Sequence, residues 1–431
     1  MSKKVAFHTL GCKVNYFESE GVWEMFAASG YERAKFTDFA DVYVINTCSV
    51  TNGGDRKSRQ FIRRAVRKNP DAVVCVMGCL SQTQPDSVIE IEGVDIVLGT
   101  SGRSELVGLV EKFLESRGRI NLVGDIAKER EFESLSVAKF ENRKRGILKI
   151  QDGCNNFCTF CIIPWARGRV RSEKPEVVVS QARELVANGH VELVLTGIHT
   201  GAYGEDFEAY SFADLLAELV EIDGLHRLRI SSIEATELTT DVLAVLASSD
   251  KIAQHLHIPI QSGTDAMLAA MNRKYTLAEF EDNLKRIREA LPGVSITTDI
   301  IVGFPGETDA MFVESLETVR RIGFSEMHVF PYSVRSGTKA AGMTGQIPEM
   351  IKTVRVGEML AVNEQLGMAN ATQFAGEVLE VIVERVRDGY ATGRASNYLT
   401  VRFPVEADFD ESLVNVRVTK AGYPACLGEI E

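Results

Sequence analysis

The sequence predicts an α/β protein with an N-terminal open parallel-sheet domain, a central partial (β/α)6 barrel and a C-terminal small β-barrel. Three observations carry this. From residue 4 to 116, short β-branched runs alternate with amphipathic stretches; a second alternation of six such units follows; and from Glu377 the pattern becomes all-β. Length agrees, because 431 residues at about 150 per domain make three domains rather than one.

The first alternation places strands at Val5–Thr9, Val42–Asn46, Ala72–Met77 and Asp95–Leu98, each followed by helix. In the first helix Val22, Met25 and Phe26 have the i, i+3, i+4 spacing of a buried face. Residues 117–145 lose the rhythm and become strongly charged from Lys128 to Arg145, as suits an exposed connection. Six strand candidates then end near Gln151, Thr196, Ser232, Ile260, Ile300 and Phe330. Six units fit an incomplete barrel, whose reacting groups belong at the carboxyl ends of its strands. Residues 347–374 read as one helix leaving that unit. Strands at Glu377–Val386, Ala391–Arg394, Tyr398–Phe403 and Leu413–Lys420 favour a small barrel. The expected domains are 1–118, a linker 119–139, 140–370 and 371–431.

With 45% apolar and 25% charged residues, disordered and fibrous classes are excluded. The start lacks the apolar stretch of a secretory signal, and no run approaches the ~18 apolar residues of a membrane span, so a cytoplasmic protein without a membrane partner is expected. A formal charge of −12 means that any nucleic acid must be held by a local basic patch. Eight cysteines point to metal or redox chemistry in a reducing compartment.

Cys154, Cys158 and Cys161 place three thiols in eight residues directly after a barrel strand. Structural zinc wants four ligands, and the nearest His in sequence is His190. Three thiolates on a cubane iron-sulfur cluster instead leave one iron open to an exogenous ligand. Zinc and buried free thiols are the alternatives. The C-x-x-x-C-x-x-C spacing, with Phe160 before the last Cys, resembles the signature of the radical S-adenosylmethionine superfamily. That resemblance implies that the open iron chelates S-adenosylmethionine and that an electron from the cluster cleaves it to a 5′-deoxyadenosyl radical. Other strand ends offer cofactor-binding candidates: Thr196 and Gly197, Ser232 and Glu234, Gln261 and Ser262, Asp299 with Gly303, and Phe330 and Tyr332. Gly303 and Gly306 would let the backbone approach an adenine or ribose. Singly, each is equally well a turn or capping residue.

Cys12, Cys48 and Cys79 are far apart in sequence, yet each follows a predicted strand at the same relative place. In a parallel sheet those ends share one edge, so the thiols can converge on a second three-thiolate site. The plainer alternative is three unrelated buried cysteines, as Cys75 and Cys426 are expected to be.

Gly-Cys12, Asn-Thr-Cys48 and Gly-Cys79, followed by the Cys154/Cys158/Cys161 loop and a terminal β module, resemble the methylthiotransferase family across nearly the whole chain. The resemblance implies two 4Fe-4S clusters and S-adenosylmethionine as cofactors. Cys12, Cys48 and Cys79 would ligate an auxiliary cluster that carries the sulfur, and Cys154, Cys158 and Cys161 the radical-generating one. It further implies a TRAM-like terminal module that grips RNA, and an electron donor such as flavodoxin or ferredoxin. Carbon 2 of an adenine bears a C–H bond that no side-chain acid or base activates near neutral pH, so a radical makes sense. The segment from Thr196 to Gly204 looks like the branch acting on N6-threonylcarbamoyladenosine beside the tRNA anticodon; the isopentenyladenosine and ribosomal-protein aspartate branches are the alternatives. A zinc-dependent RNA-binding protein without catalysis is the rival of a different class.

The threonylcarbamoyl carboxylate calls for a cationic partner, for which Arg167, Arg169 and Arg171 are candidates, or else a solvated basic strip. Residues 56–68 hold seven basic residues and no acidic one, with Arg56, Arg59, Arg63 and Arg67 on one helical face. That face suits tRNA phosphates, although it could simply solubilise the helix. Residues 372–431 contain six Arg/Lys against ten Asp/Glu, so RNA would need a limited surface there. Arg394, Asn397, Tyr398 and Arg402 are the candidates.

Overall fold

A computed structural model describes residues 2–141, 143–406 and 408–431 of the chain. The N-terminal unit runs β1 (Lys4–Thr9), α1 (Lys13–Ala28), β2 (Glu32–Ala34), β3 (Val42–Thr47), α2 (Asn52–Lys68), β4 (Val73–Gly78), α3 (Cys79–Thr83), α4 (Pro85–Ile89), β5 (Ile96–Val97), α5 (Leu106–Ser116) and β6 (Ile120–Asn121). Its sheet is parallel in the order β2-β1-β3-β4-β5-β6. Every residue of β3 and β4 is buried, as continuous apolar runs covered on both faces require. Two apolar clusters flank the sheet, one including Val22 and Phe26 of α1 and the other Ile62 and Ala65 of α2.

The short edge strands β2 and β6 lie outside the sequence expectation, because two or three residues carry no readable period. Beyond β6, the charged connection is anchored rather than wholly exposed. Leu135, Val137 and Phe140 are buried in the core of the next unit, and Tyr16 of α1 stacks on Phe140 at 5.8 Å.

The central unit contains β7 (Arg145–Lys149), β8 (Gln151–Asp152), α6 (Ile163–Arg167), β9 (Arg171–Ser172), α7 (Pro175–Ala187), β10 (Glu192–Thr196), α8 (Phe212–Val220), β11 (Arg227–Ile230), α9 (Thr240–Ser248), β12 (His255–His257), α10 (Asp265–Ala270), α11 (Leu277–Ala290), β13 (Ser295–Val302), α12 (Asp309–Ile322) and β14 (Glu326–Pro331). β7, β10 and β11 are parallel neighbours, as are β12, β13 and β14; bridges Leu228–Ile252 and Ser232–His257 join the halves. Six parallel strands therefore follow sequence order in an open barrel. β12 stops early because Pro259 has no N–H to donate, and Ile260 N–H turns instead to Thr298 Oγ1 at 2.8 Å. Alternation sets the faces: Leu256, Ile296, Ile300 and Met327 lie in the core beneath the helices, so His257, Asp299 and His328 point into the barrel.

A single helix, α13 (Glu349–Thr372), leads to β15 (Val378–Arg387), β16 (Tyr390–Ala395), β17 (Thr400–Pro404), β18 (Leu413–Lys420) and β19 (Cys426–Ile430). These close as a barrel in the order β15-β16-β17-β19-β18 around Val381, Phe403, Val416 and the buried Cys426. Among the described residues, no helix is long and apolar enough to cross a membrane.

Candidate cluster sites and the barrel mouth

β1, β3 and β4 are adjacent, and Cys12, Cys48 and Cys79 follow their carboxyl ends. Gly11 adopts φ +98°, and a Cβ there would lie 2.9 Å from Cys48 Cβ and 3.0 Å from its Sγ. Glycine thus lets the first loop close on the second. Gly78 plays the same part before Cys79, at φ +100° with a Cβ position 2.4 Å from Asn46 Oδ1. Burial and then the nearby Cys12 and Cys48 push the Cys79 thiol up to about 12, despite a favourable Arg167. Such thiols give up their protons to a cationic metal centre rather than to water.

The second trio lies on the loop after β8. Gly153, at φ +75°, would place a Cβ 1.8 Å from the Arg169 carbonyl oxygen, so the loop crosses its return strand without side-chain room. Gln151 fixes the entrance: its Nε2 donates to the Asp152 and Gly153 carbonyls at 2.7 Å each, and its Oε1 accepts from Ile198 and His199 N–H at 3.0 and 2.8 Å. Arg273 Nη1 donates to Cys158 Sγ at 3.5 Å, and Arg273 also pairs with Glu234. Burial, then Cys158 and Cys154, pushes Cys161 up to about 12. His190, the nearest His in sequence, instead packs against Phe140. The imidazole that reaches this trio is His199. Burial disfavours its charge, but hydrogen bonds to Cys154 and Glu237 raise it to about 11.

A single zinc ion needs donors crowded within one ion's reach. Among the described residues, the one set of three metal-capable side chains whose ligand atoms all lie within 4.8 Å is His257, Asp299 and His328. The two cysteine trios are wider than that. Their all-sulfur, three-fold donor sets fit iron-sulfur clusters, which spread their ligands over several metal atoms and accept three thiolates plus an outside ligand.

The other cofactor candidates fall around the barrel mouth. Thr196 is buried at the end of β10, and a Cβ on Gly197 would lie 2.8 Å from Gln151 Oε1. Ser232 bridges to His257. Gln261 holds φ +67° while its backbone pairs with Asp299 and Ile301. Ser262 is buried with an unpartnered hydroxyl, a polar atom awaiting a ligand or water. Phe330 is exposed. Gly303 departs from the expectation, facing wall rather than lining, whereas the buried Tyr332 hydroxyl, like that of Ser262, has no partner. A Cβ on Gly303 would lie 2.4 Å from Lys352 Cγ of α13, and Tyr332 is buried against Phe304 at 5.3 Å. The close approach that Gly303 allows is to the protein's own helix.

Arg167 is also corrected. It is wholly buried between the N-terminal unit and the barrel, so it cannot greet a substrate. Nη1 donates to Glu18 Oε1 at 2.8 Å and to both Asp152 oxygens at 3.0 Å; Nη2 donates to Asn15 Oδ1 at 2.6 Å and Glu18 Oε2 at 3.1 Å. Lys149 joins Glu18 and Asp152 at 2.9 and 2.7 Å. Arg167 also stands beside Cys79, and Asp152, which holds Gly153 N–H at 2.9 Å, anchors the start of the loop that carries the second trio. Arg171 is buried too, donating to the Arg167 carbonyl at 3.0 Å. Arg169 is exposed, over the Phe157 ring at 4.6 Å.

On α2, Arg56, Arg63 and Arg67 are exposed, whereas Arg59 is turned back to Gln84 Oε1 at 2.9 Å and Ser87 Oγ at 2.8 Å. Helical spacing put Arg59 on the right face but could not show α4 beside it. In the terminal barrel, Tyr398 stacks on His255 at 4.2 Å, Arg394 lies over Tyr398 at 4.0 Å, and Asn397 is buried. This turn docks against the amino ends of the central strands, where Arg229 donates to the Ala395 and Ser396 carbonyls. It is an internal contact, not a free RNA surface. Arg402 remains exposed over Tyr390 at 4.1 Å, and Arg385 and Arg387 join it in a shallow groove. Arg385 and Arg387 escaped notice because only hairpin register places them opposite Thr392 and Tyr390.

Residues 148–319 match the Radical SAM superfamily, and residues 4–99 match Uncharacterized protein family UPF0004. The chain is 52% identical over 426 residues to the threonylcarbamoyladenosine tRNA methylthiotransferase MtaB of Bacillus subtilis (strain 168), covering 97% of this chain and 94% of that protein. It is 35% identical over 438 residues to the tRNA-2-methylthio-N(6)-dimethylallyladenosine synthase of Desulfitobacterium hafniense (strain Y51), covering 99% and 97%. In fold it is similar to the radical S-adenosylmethionine methyltransferase TsrM from Kitasatospora setae, with a TM-score of 0.59 at 16% identity over 91% of this chain and 81% of that one.

Proposed function

The chain belongs to the methylthiotransferase family of radical S-adenosylmethionine enzymes, and from that premise we propose the reaction it performs. It converts N6-threonylcarbamoyladenosine next to the tRNA anticodon to its 2-methylthio derivative. The near-full-length 52% identity to an enzyme named for that substrate, against 35% to one named for the dimethylallyl substrate, carries the choice of branch. Its cofactors are two 4Fe-4S clusters and S-adenosylmethionine. Cys12, Cys48 and Cys79 would hold the auxiliary cluster, and Cys154, Cys158 and Cys161 the other. When bound, these groups supply one-electron chemistry at a C–H bond that side-chain acids and bases leave inert.

The chain's own residues hold, orient and shield. Arg273 beside Cys158 and Arg167 beside Cys79 place positive charge next to sulfurs that must be anionic to bind metal. Gln151 ties the cluster loop to Ile198 and His199 just past the end of β10, and Thr196, Gly197, Ser232, Gln261 and Ser262, each following a barrel strand or at its end, would bind the cofactor. Glu234 acts at one remove, through Arg273. Exposed Arg56, Arg63 and Arg67 on α2 and Arg385, Arg387 and Arg402 on the terminal barrel would take tRNA phosphates, with Tyr390 as a stacking face. This assigns the terminal unit a TRAM-like role, within domains divided at 1–118, 140–370 and 371–431 with a linker at 119–139. A flavodoxin or ferredoxin would deliver electrons, and the cytoplasm is the compartment where tRNA and such donors meet.

Nucleoside mass spectrometry of tRNA from cells with and without this chain tests the substrate. Loss of 2-methylthio-N6-threonylcarbamoyladenosine alone is the expected result. Loss of the isopentenyl derivative instead, or of neither, contradicts the reading.

A further inference from the structure

His257, Asp299 and His328 lie inside the barrel and belong to neither cysteine trio. Asp299 Oδ1 faces His328 Nδ1 at 3.0 Å and His257 Nε2 at 3.2 Å, and the two imidazoles stack at 5.2 Å. His257 Nδ1 is held by Thr297 Oγ1 at 2.8 Å. Asp299 thereby spends one oxygen on two rings and fixes which edge of each it meets. With Nδ1 so engaged, His328 on the edge strand β14 keeps its Nε2 edge free for the barrel interior, and its side chain is 45% exposed.

Lys13 follows Cys12 directly, as the first residue of α1. Among the described residues no carboxylate pairs with its ammonium, and burial first, then the neighbouring Arg145 and Arg229, loosen its hold on the proton, a cost that a bound anion would offset. Lys13 lies within electrostatic reach of His328, and of Arg145, Arg229 and Arg394 from the floor of the barrel. Those guanidiniums have carboxylate partners in Glu192 and Glu384, whereas Lys13 has none. A cavity in which cations face one another without an equal number of anions has a potential that a bound anion relieves.

We propose that His328, oriented by Asp299 and His257, and Lys13 form the subsite for a carboxylate on the substrate, the free carboxylate of the threonylcarbamoyl group on the modified adenine. The inference rests on the substrate reading above and replaces Arg167 as the expected cationic partner. Burial opposes a charge on His328, but the hydrogen bond to Asp299 outweighs it and holds the ring's proton affinity above the ordinary value. The ring thus offers a charge-assisted N–H to an anion.

The test uses the full chain reconstituted with both clusters and two anticodon stem-loops, one bearing N6-threonylcarbamoyladenosine and one bearing the same group without its carboxyl. Dissociation constants are measured for wild type, His328→Gln and Asp299→Asn, with iron and sulfide counted in each preparation. A charge-assisted hydrogen bond lost to solvent weakens binding about 10-fold or more. That loss is expected in both variants for the carboxylate-bearing stem-loop only. Equal weakening for the two stem-loops, or none, overturns the subsite, as would a stoichiometric non-iron metal that Asp299→Asn removes. A variant that loses iron is replaced by Lys13→Met, read the same way. Wild type that methylthiolates neither stem-loop overturns the substrate reading itself, whereas wild type that binds and modifies both equally leaves the chemistry standing and removes only the subsite.

Discussion

Cys154→Ala abolishes formation of 5′-deoxyadenosine from S-adenosylmethionine, whereas Cys48→Ala leaves that cleavage intact and stops sulfur insertion into tRNA. The separation follows from geometry. Cys154 sits at the head of a loop held by Gln151 and Gly153, and its trio has no fourth protein thiol to substitute. Losing one of three thiolates leaves a cluster with two protein ligands, too few to hold it where an exogenous ligand already takes one iron. Cys48 belongs to the other site, at the sheet edge of the N-terminal unit and packed on Gly11. Both products are read by chromatography of one anaerobic reaction. Full methylthiolated product from either variant contradicts the division of labour.

The second large effect is structural. Arg167→Met is expected to lower stability by about 3–5 kcal/mol, because it strips a fully buried cation from two buried carboxylates. Lys149 and Arg103 remain beside Glu18, at 2.9 and 3.0 Å, but Asn15 Oδ1 keeps only the long contact from Cys12 Sγ at 3.7 Å and half the Asp152 contacts lose their donor. Exposed Arg169→Met, two residues away, should stay within about 0.5 kcal/mol of wild type. Urea midpoints of the two variants check this, and equal midpoints would contradict it. The same network has an acid signature. Burial works against the Glu18 carboxylate, yet Arg103, Arg167 and Lys149 hold its carboxyl down to about 2, below the ordinary 4.5. Its contribution is therefore complete above pH 4.5 and fades as pH falls from there toward 2. Arg167→Met should shrink that acid-dependent part.

What the sequence revealed depended on whether a feature was periodic, local or long-range. Strand runs such as Val42–Thr47 and Val73–Gly78 are long and apolar, and they stood out; β2, β6 and β8 are two or three residues long and exist only through their neighbours. The six cysteines were legible because a loop spacing and a repeated strand-end position each survive in one dimension. The role of Arg167 is illegible in sequence for the opposite reason. Its partners Asn15, Glu18 and Asp152 lie up to 152 positions away, and nothing in a basic strip distinguishes the arginine that turns inward from Arg169, which does not. His199 is not legible in sequence, because a lone histidine on a Gly-rich loop carries no pattern; its value lies in reaching Cys154 and Glu237. Tyr398 has the composition of a stacking residue and does stack, but on His255 of its own chain.

Iron and acid-labile sulfide, counted in anaerobically purified wild type and in chains with one trio converted to alanine, test the central claim most directly. Two four-iron clusters require about eight irons and eight sulfides per wild-type chain, and about four of each when Cys12, Cys48 and Cys79, or Cys154, Cys158 and Cys161, are removed. Four irons in the wild type, zinc in place of iron, or loss of all iron from both triple variants would contradict two independent three-thiolate sites.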